Sequence, residues 1–352
     1  MRIVVLVDWE ACRSRPGGIF ETLDGTEQHF VSVGLRAKGR EIVVLPFGED
    51  ISTSIDRLRK AQPDVVFNLT ASLARDRRNA HVVAAILDLI DVPYTASSSA
   101  TLLTCGDKAL SKLIVRRAGV QTPNFTTIAQ NHPKPTDVLA FPLIVKPRFG
   151  ESSELLSRRS VVTNQKKLAE RVDQIVRRYD VPLICEEFID GRDISVCVLG
   201  NEKLLVLPPR EFRCDSSSKH APRFETHRVK HDPKYQAKWR TSYHRARLAD
   251  HHQREIVAIT NRAYRALDLR DYARFDFRLT ADNTFVFLEA NAHPDLSPSP
   301  YSSFGLMSSC AGISYSNLLN RIVKMALKRS PSERFKAKAD VRTVVGGNRL
   351  HV

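Results

Sequence analysis

The sequence predicts an α/β protein whose first domain is a doubly wound parallel sheet, and three observations carry that prediction. Short runs rich in β-branched residues, Ile3–Val7, Ile42–Leu45 and Val65–Leu69, are bounded by polar or turn-forming residues. They have no alternating polar partners, as expected of strands covered on both faces. Helical patterns at Phe30–Lys38 and His81–Ile90 lie between or after them, which is the spacing of crossover connections. Later strands are instead joined by short turns, Gly200-Asn201 and Ala281-Asp282-Asn283, so the rest of the chain reads as antiparallel and mixed. Gly17-Gly18 stands alone without a GxGxxG pattern, so no dinucleotide site is expected in the first domain.

The next elements follow in order. Asp107 caps a helix whose Leu110, Leu113, Ile114 and Ala118 share a face, and Gly119 closes it ahead of Pro123. Leu143-Ile144-Val145 is a buried strand followed by the turn-like stretch Arg148–Ser153. Val161 opens a short return strand, Lys166–Arg178 is helical, and Leu183–Phe188 is a strand leading into the turn Asp190-Gly191. Strands Ile194–Leu199 and Leu204–Leu207 come next, and then a polar, His-rich stretch from 213 to 252 that reads as a long loop. Helices at Glu255–Leu267 and Tyr315–Leu327 flank two further strands, and the residues after Lys328 read as a mobile basic tail.

At 352 residues the chain is long enough for two or three packed units, with 42% hydrophobic and 26% charged residues. No apolar run approaches the ~20 residues of a membrane span, and Ile3–Val7 is too short for a signal-peptide core. The six cysteines are scattered without a CxxC pair, which argues against a disulfide framework or zinc site and for a cytoplasmic location. The net charge of +15 gathers in 219–254 and in the tail. It attracts anions, but no nucleic-acid-binding signature accompanies it, so nucleic acid is not the expected partner.

The segment with most chemistry is a hairpin, 273–280 paired with 284–291. With the turn centred between Asp282 and Asn283, Asp276 faces Glu289 and Arg274 faces Asn291. Strand alternation then puts all four on one side, with Phe275, Phe277, Leu279, Val286, Leu288 and Ala290 on the other. Opposed Cβ atoms lie about 4.5–5.5 Å apart, so the two carboxylates repel unless a cation joins them. Oxygen ligands from Asp276, Glu289 and Asn291 suit Mg²⁺, which takes its remaining ligands from water and phosphates. A cross-strand lattice, Arg274 and Arg278 neutralising the carboxylates on a solvated face, accounts for the same residues.

Lys146 ends a strand beside Gly150-Glu151-Ser152-Ser153, where an ammonium and loop N–H groups can hold phosphate, although a solvated strand-end lysine looks the same. Lys108 opposes its helix dipole unless an anion lies nearby. Glu186-Glu187-Phe188-Ile189, with Asp193 beyond, has the makings of an adenosine slot, and is equally an acidic strand end and turn.

The order of these pieces resolves the alternatives. Asp107-Lys108…Lys112…Gly119, then Phe141–Pro147, then Glu186–Asp193, then Arg274-Phe275-Asp276…Glu289-Ala290-Asn291 resembles the ATP-grasp superfamily, and within it the D-alanine–D-alanine ligase family, over residues 1–328. The resemblance implies an ATP-grasp architecture: an N-terminal doubly wound parallel-sheet domain (1–104), a small central α+β lid (105–183), a C-terminal α+β domain with the metal site (184–328) and the tail (329–352). It implies ATP with Mg²⁺, for which Mn²⁺ can substitute. Lys108 and Lys146 would hold phosphates, Ser152 and Ser153 would close over the triphosphate, Glu186, Glu187 and Ile189 would contact adenine, and Asp193 the ribose. Asp276, Glu289 and Asn291 would be metal ligands, Arg274 would stabilise charge on the attacked carboxylate, and Lys230 would reach the γ-phosphate. The family reaction phosphorylates a carboxylate and lets an amine displace the phosphate, giving an amide, ADP and phosphate. The implied partners are small amino acids or peptides and a second copy of the chain, with no membrane.

The sequence departs from the family around the substrate. Glu10 is the sole candidate in Asp8–Gly18 for the family's substrate-binding glutamate. Asp295 stands where a glycine is expected, Pro298 and Pro300 follow it, and Glu154 replaces a small or apolar residue. Two alternatives therefore stand beside the D-alanine reading: a ligase for a different amino acid or peptide, and an ATP-binding module without turnover.

Overall fold

The computed structural model describes residues 1–48, 50–129, 139–150, 155–179, 181–215, 218 and 221–329. Strands β1 (Arg2–Asp8), β4 (Glu41–Phe47) and β5 (Val65–Asn68) form a parallel sheet in the order β4-β1-β5. Between β1 and β4, Gly17 and Gly18 turn a small hairpin of β2 (Cys12–Arg15) and β3 (Ile19–Thr22). Alternate residues of the parallel strands feed two separate cores. Ile3, Val5, Val7, Val65 and Phe67 pack with helix α1 (Glu27–Gly34), while Val4, Leu6, Leu45 and Val66 pack with α2 (Ile51–Ala61) and α3 (Ala80–Leu89). Helices on both faces make this the doubly wound unit expected. Helix α1 starts three residues before the predicted Phe30, because Thr26 Oγ1 accepts from His29 N and sets the first turn there.

The chain then crosses the molecule on α4 (Ser99–Gly106) and α5 (Lys108–Arg117), where Asp107 accepts from the backbone N–H groups of Ala109 and Leu110 as predicted. A four-stranded antiparallel sheet follows, in the order β6 (Phe125–Ile128), β9 (Leu183–Glu187), β7 (Leu143–Pro147), β8 (Val161–Val162). Its one apolar face, including Leu143, Val145 and Cys185, is covered by α6 (Gln165–Tyr179) through Leu168, Val172 and Ile175. The sheet runs on to Glu187, past the lid boundary drawn at 183.

The largest sheet comprises β10 (Arg192–Leu199), β11 (Leu205–Val206), β12 (Arg210–Arg213), β13 (Ser242–Arg245), β14 (Tyr272–Leu279) and β15 (Phe285–Asn291), in the order β13-β12-β10-β14-β15, with β11 pairing β10. Gly191 ends the turn before β10 at φ +146°, where a Cβ would meet Leu279 O at 2.3 Å. The stretch 213–252 is not a long loop. It contains α7 (His227–His231), α8 (Pro233–Trp239) and β13, with Thr226 and Asp232 capping the two helices and Pro233 at the first turn of the second. Helix α9 (Asp250–Ala266) covers the apolar face of the sheet through Ile256, Ile259, Ala263 and Tyr264.

The last two helices, α10 (Ser303–Cys310) and α11 (Tyr315–Lys328), return to the first sheet. Phe304, Met307, Leu318, Leu319, Ile322 and Val323 share one core with Ile3, Val5 and Val7. Of the predicted tail only Arg329 is described, and it pairs with buried Asp271 and donates to Tyr94 O; the rest lies outside the described residues. No helix among the described residues is long and apolar enough to cross a membrane.

Candidate active site

The hairpin β14–β15 pairs Arg274 with Asn291 and Asp276 with Glu289, as its polar pattern predicts. The register then shifts between Asp276 and Phe277, so that Phe277 opposes Phe287 rather than Leu288. This bulge corrects the predicted apolar face. Phe285 and Phe287 enter the core with Phe275 and Phe277, whereas Leu288 lines the polar side. The bulge also frees Leu288 O to accept from Lys112 Nζ on α5.

The polar side is the floor of a cavity of about 300 Å³ between the small and large sheets. Lys146, Glu186, Glu187, Ile189, Asp193, Lys230, Arg274, Asp276 and Glu289 line it, so nine of the residues singled out from sequence meet around one space. Lys108 on α5 is buried at 8% exposure and donates to Gly150 O, placing the start of α5 against the turn after β7. Ser152 and Ser153, with Glu151 and Glu154, lie outside the described residues.

The lysines are held by a carboxylate in the interior. Glu186 takes Lys112 at 2.8 Å and Lys146 at 3.0 Å, with side-chain exposures of 1%, 0% and 8% respectively. Burial opposes charge on all three. Glu186 is nonetheless held below the usual carboxylate range by the two ammoniums, while Lys112 falls to about 8 because burial outweighs its partner. The Glu186 carboxylate is thus engaged with lysines rather than open to a base. Its neighbour Glu187 accepts from Asn124 N and Nδ2. Lys112, absent from the predicted set, is as central as Lys146; its signal was the spacing from Lys108, one helical turn on the same face.

On the large sheet, Arg274 donates to both oxygens of Asp276, with Nη2–Oδ2 at 3.0 Å. Half of the predicted lattice is therefore present. The other half is not, because Arg278 pairs with Asp193 at 3.2 Å, and side-chain exposures of 15% and 22% for Arg274 and Asp276 rule out a solvated face. Burial opposes the charge of Glu289, but Lys108, Lys146, Lys230 and Lys112 bring its carboxyl down to about 2. Asn291 Oδ1 accepts from His293 N, which fixes the amide at the strand end. Lys230 reaches the cavity from α7, not from a loop.

The donor set suits a hard divalent cation. Two opposed carboxylates and an amide oxygen leave most of an octahedral shell for water and phosphate oxygens, as Mg²⁺ prefers. Among the described residues there is no group of three or more His, Cys, Asp or Glu side chains that could hold a metal ion. Asp193 also lines the cavity, where its carboxylate is an acceptor suited to a sugar hydroxyl. Burial lifts the Asp193 carboxyl to about 6 against the pull of Arg278.

The model of the D-ala D-ala ligase C-terminus family matches residues 114–324. The chain belongs to the D-alanine–D-alanine ligase-like family of ATP-grasp proteins. An uncharacterized protein, y4sG, of Sinorhizobium fredii is 34% identical over 305 residues, covering 85% of this chain and 87% of its own. D-alanine–D-alanine ligase of Aquifex aeolicus is 28% identical over 271 residues, covering 76% and 83%. The structure of the Bacillus anthracis D-alanine–D-alanine ligase complexed with ATP superposes with a TM-score of 0.72 at 21% identity, over 95% of this chain and 99% of that one. The VanG D-Ala:D-Ser ligase of Enterococcus faecalis gives 0.67 at 18%, over 92% and 99%. These likenesses establish the ATP-grasp fold of the family member described here.

Glu10 does not reach the cavity; it is exposed and pairs with Arg75. The carboxylate that the N-terminal domain brings to the loop after β15 is Glu27, in the first turn of α1, whose Oε1 accepts from Leu296 N at 2.7 Å beside Asp295. Burial and the charge of Asp295 push Glu27 up to about 8. Asp295 itself holds Ser297 through N and Oγ, and Gly305 lets α10 approach that loop so closely that a Cβ would meet Ser297 O at 2.4 Å. Sequence reasoning also passed over Arg210, Glu225 and Tyr243, which line the same cavity.

Proposed function

We propose that this protein is an ATP-dependent carboxylate–amine ligase acting on amino acids or short peptides. The observation that carries the reading is the opposition, across one cavity, of the Asp276/Glu289 pair with Arg274 to a group of interior lysines. A site of that kind stabilises charge on transferring phosphoryl groups by fixed electrostatics and has no need of a protein nucleophile.

In this reading Ile189 and the backbone after β9 receive the adenine, and Asp193 accepts from the ribose. Lys108 and Lys146 hold phosphate oxygens, and Lys230 approaches the γ-phosphate from α7. Asp276, Glu289 and Asn291 would hold Mg²⁺, which would supply charge neutralisation and orientation of the phosphates. One substrate carboxylate oxygen forms a bond to the γ-phosphorus as the bond to ADP breaks, and Arg274 steadies the negative charge on that carboxyl group. The amine of the second substrate then attacks the acyl carbon, phosphate leaves with the bonding electrons, and the amine loses a proton. Glu186 acts behind the lysines, keeping Lys112 and Lys146 fixed in an apolar surround.

Asp295 in place of glycine and the prolines beyond it favour a substrate other than D-alanine, and the same loop motivates the reading as a module without turnover. ADP release measured across L- and D-amino acids and dipeptides separates them. The expected result is acceptor-dependent release in the wild type, lost with weakened Mg²⁺–ATP binding in folded Glu289→Gln. Tight ATP binding with no release in any mixture would leave the module; full turnover in Glu289→Gln would remove the metal site as drawn.

A further inference from the structure

The cavity wall beside Lys230 and Arg274 holds a buried cation, Arg210, for which the proposed chemistry has no use. Arg210 opens β12 and is 4% exposed. Its register is fixed by the sheet: Arg210 opposes Ser195 on β10, which opposes Asp276 on β14, which opposes Glu289 on β15. Directly opposed residues share a face, so Arg210 lies on the metal-binding side, about 10 Å of sheet width from Asp276.

The guanidinium is built into place. It stacks over the Tyr243 ring with Cζ 4.2 Å from the centroid. Nη1 donates to Tyr301 O at 3.1 Å, and Nη2 donates to Glu225 Oε1 at 3.0 Å and weakly to Ser195 Oγ at 3.4 Å. Tyr243 OH donates to Glu225 Oε2 at 3.2 Å, so the carboxylate that orients the arginine is itself fixed. Burial opposes the charge of Glu225, yet Arg210, Lys230 and Arg274 hold its carboxyl below the usual range. Those three cations converge on one end of the cavity, and Glu225 is shared among them. Arg210 Nε, in turn, is buried with no hydrogen-bond partner. A buried N–H of a cation left unmade is costly unless function uses it.

We infer that Arg210 is a specificity residue that receives an acidic group of the amine substrate, so that this ligase takes acceptors carrying a carboxylate on the side chain, or acidic dipeptides, ahead of alanine. The inference rests on the ligase reading for its substrate class, but the geometry of the subsite is independent of turnover. A planar guanidinium stacked on an aromatic ring and steadied by a carboxylate is preorganised for a second carboxylate. Tyr243 and Tyr301, whose rings meet edge to face at 6.0 Å, confine the space beside Arg210.

The experiment is a paired one. ADP release is measured with glutamate, aspartate, alanine and lysine as acceptors, and binding of glutamate is measured calorimetrically to the protein saturated with Mg²⁺ and a non-hydrolysable ATP analogue. Removing a charged hydrogen bond lowers the ratio of kcat/KM for glutamate over alanine about 10- to 100-fold in Arg210→Met. Because that variant leaves Glu225 buried and uncompensated, the double variant Arg210→Met/Glu225→Gln is tested with it, and Arg210→Lys is expected to recover part of the ratio. Turnover with neutral acceptors but no preference for acidic ones overturns the inference and leaves the ligase. Arg210-dependent glutamate binding without turnover supports the subsite and removes the ligase. Neither binding nor turnover with acidic acceptors overturns it, as does a preference unchanged in the double variant.

Discussion

Replacing Glu186 by Gln isolates the interaction on which the lysine side of the cavity depends. In the wild type two ammoniums share one carboxylate in the interior, at 2.8 and 3.0 Å. Removing the carboxylate takes from both buried charges their contacting partner and leaves Glu289 as the remaining shared counter-charge, a change that costs about 3–5 kcal/mol. The cost depends on pH in a direction the structure sets. Lys112 has a folded value of about 8 against an unfolded 10.5, so between those values the unfolded chain holds more protons and stability rises with pH. That depression already corresponds to about 3 kcal/mol of penalty on charged Lys112 at neutral pH, and losing Glu186 deepens it. Above about pH 8 Lys112 sheds its proton in the wild type too, and its attraction to Glu186 disappears from the comparison. Urea unfolding of both proteins at about pH 7 and about pH 9.5 should therefore show the full gap at the lower value and a smaller one at the higher. A gap below about 1 kcal/mol, or one that does not narrow, would refute the assignment of Glu186 as the shared partner.

Two further changes bear on other parts of the chain. Glu27 has its folded value raised to about 8 from 4.5, so it favours the fold below about pH 4.5 and that contribution is lost as pH rises through 8. Glu27→Gln keeps the acceptor for Leu296 N and should be more stable than the wild type by roughly 3–5 kcal/mol above pH 8 and equal to it near pH 4.5, as read from unfolding midpoints; a constant difference across that range would count against it. Asp107→Ala removes the cap of α5 and the 2.6 Å ion pair to Arg148, and should cost about 1–2 kcal/mol by urea unfolding, with Asp107→Asn recovering most of it through the cap alone; no loss in the alanine variant would show that α5 is held by packing only.

The site was legible where residue type and period agree. Arg274, Asp276, Glu289 and Asn291 are polar at every second position, so only one register buries their neighbours. From Phe285 to Leu288 every residue is apolar, and two registers satisfy burial equally; alternation therefore could not reveal the bulge. Thr226 and Asp232-Pro233 were readable helix starts, but the helices they open are so short and basic that no apolar period marks them. Glu27 was hidden for a different reason. A glutamate in the first turn of a helix is ordinary in sequence, and its partner Leu296 lies in a loop far along the chain. Arg210 and Glu225 likewise resemble surface charges until the sheet sets them against Tyr243.

The return of α11 to the first sheet bears on how the protein is made. Synthesis proceeds from the N-terminus, so β1 leaves the ribosome long before α11. Ile3, Val5 and Val7 are covered in part by Val31 and Leu35 and in part by Leu318, Leu319, Ile322 and Val323, which come far later in the chain. The part of that face not covered by α1 therefore waits for α11, and contacts of such separation close slowly. The middle sheet, with α6 as its own cover, has no such delay. The nascent chain thus assembles from the inside of the sequence outward, and the N-terminal unit completes its core only after the nucleotide-side sheets can already be in place.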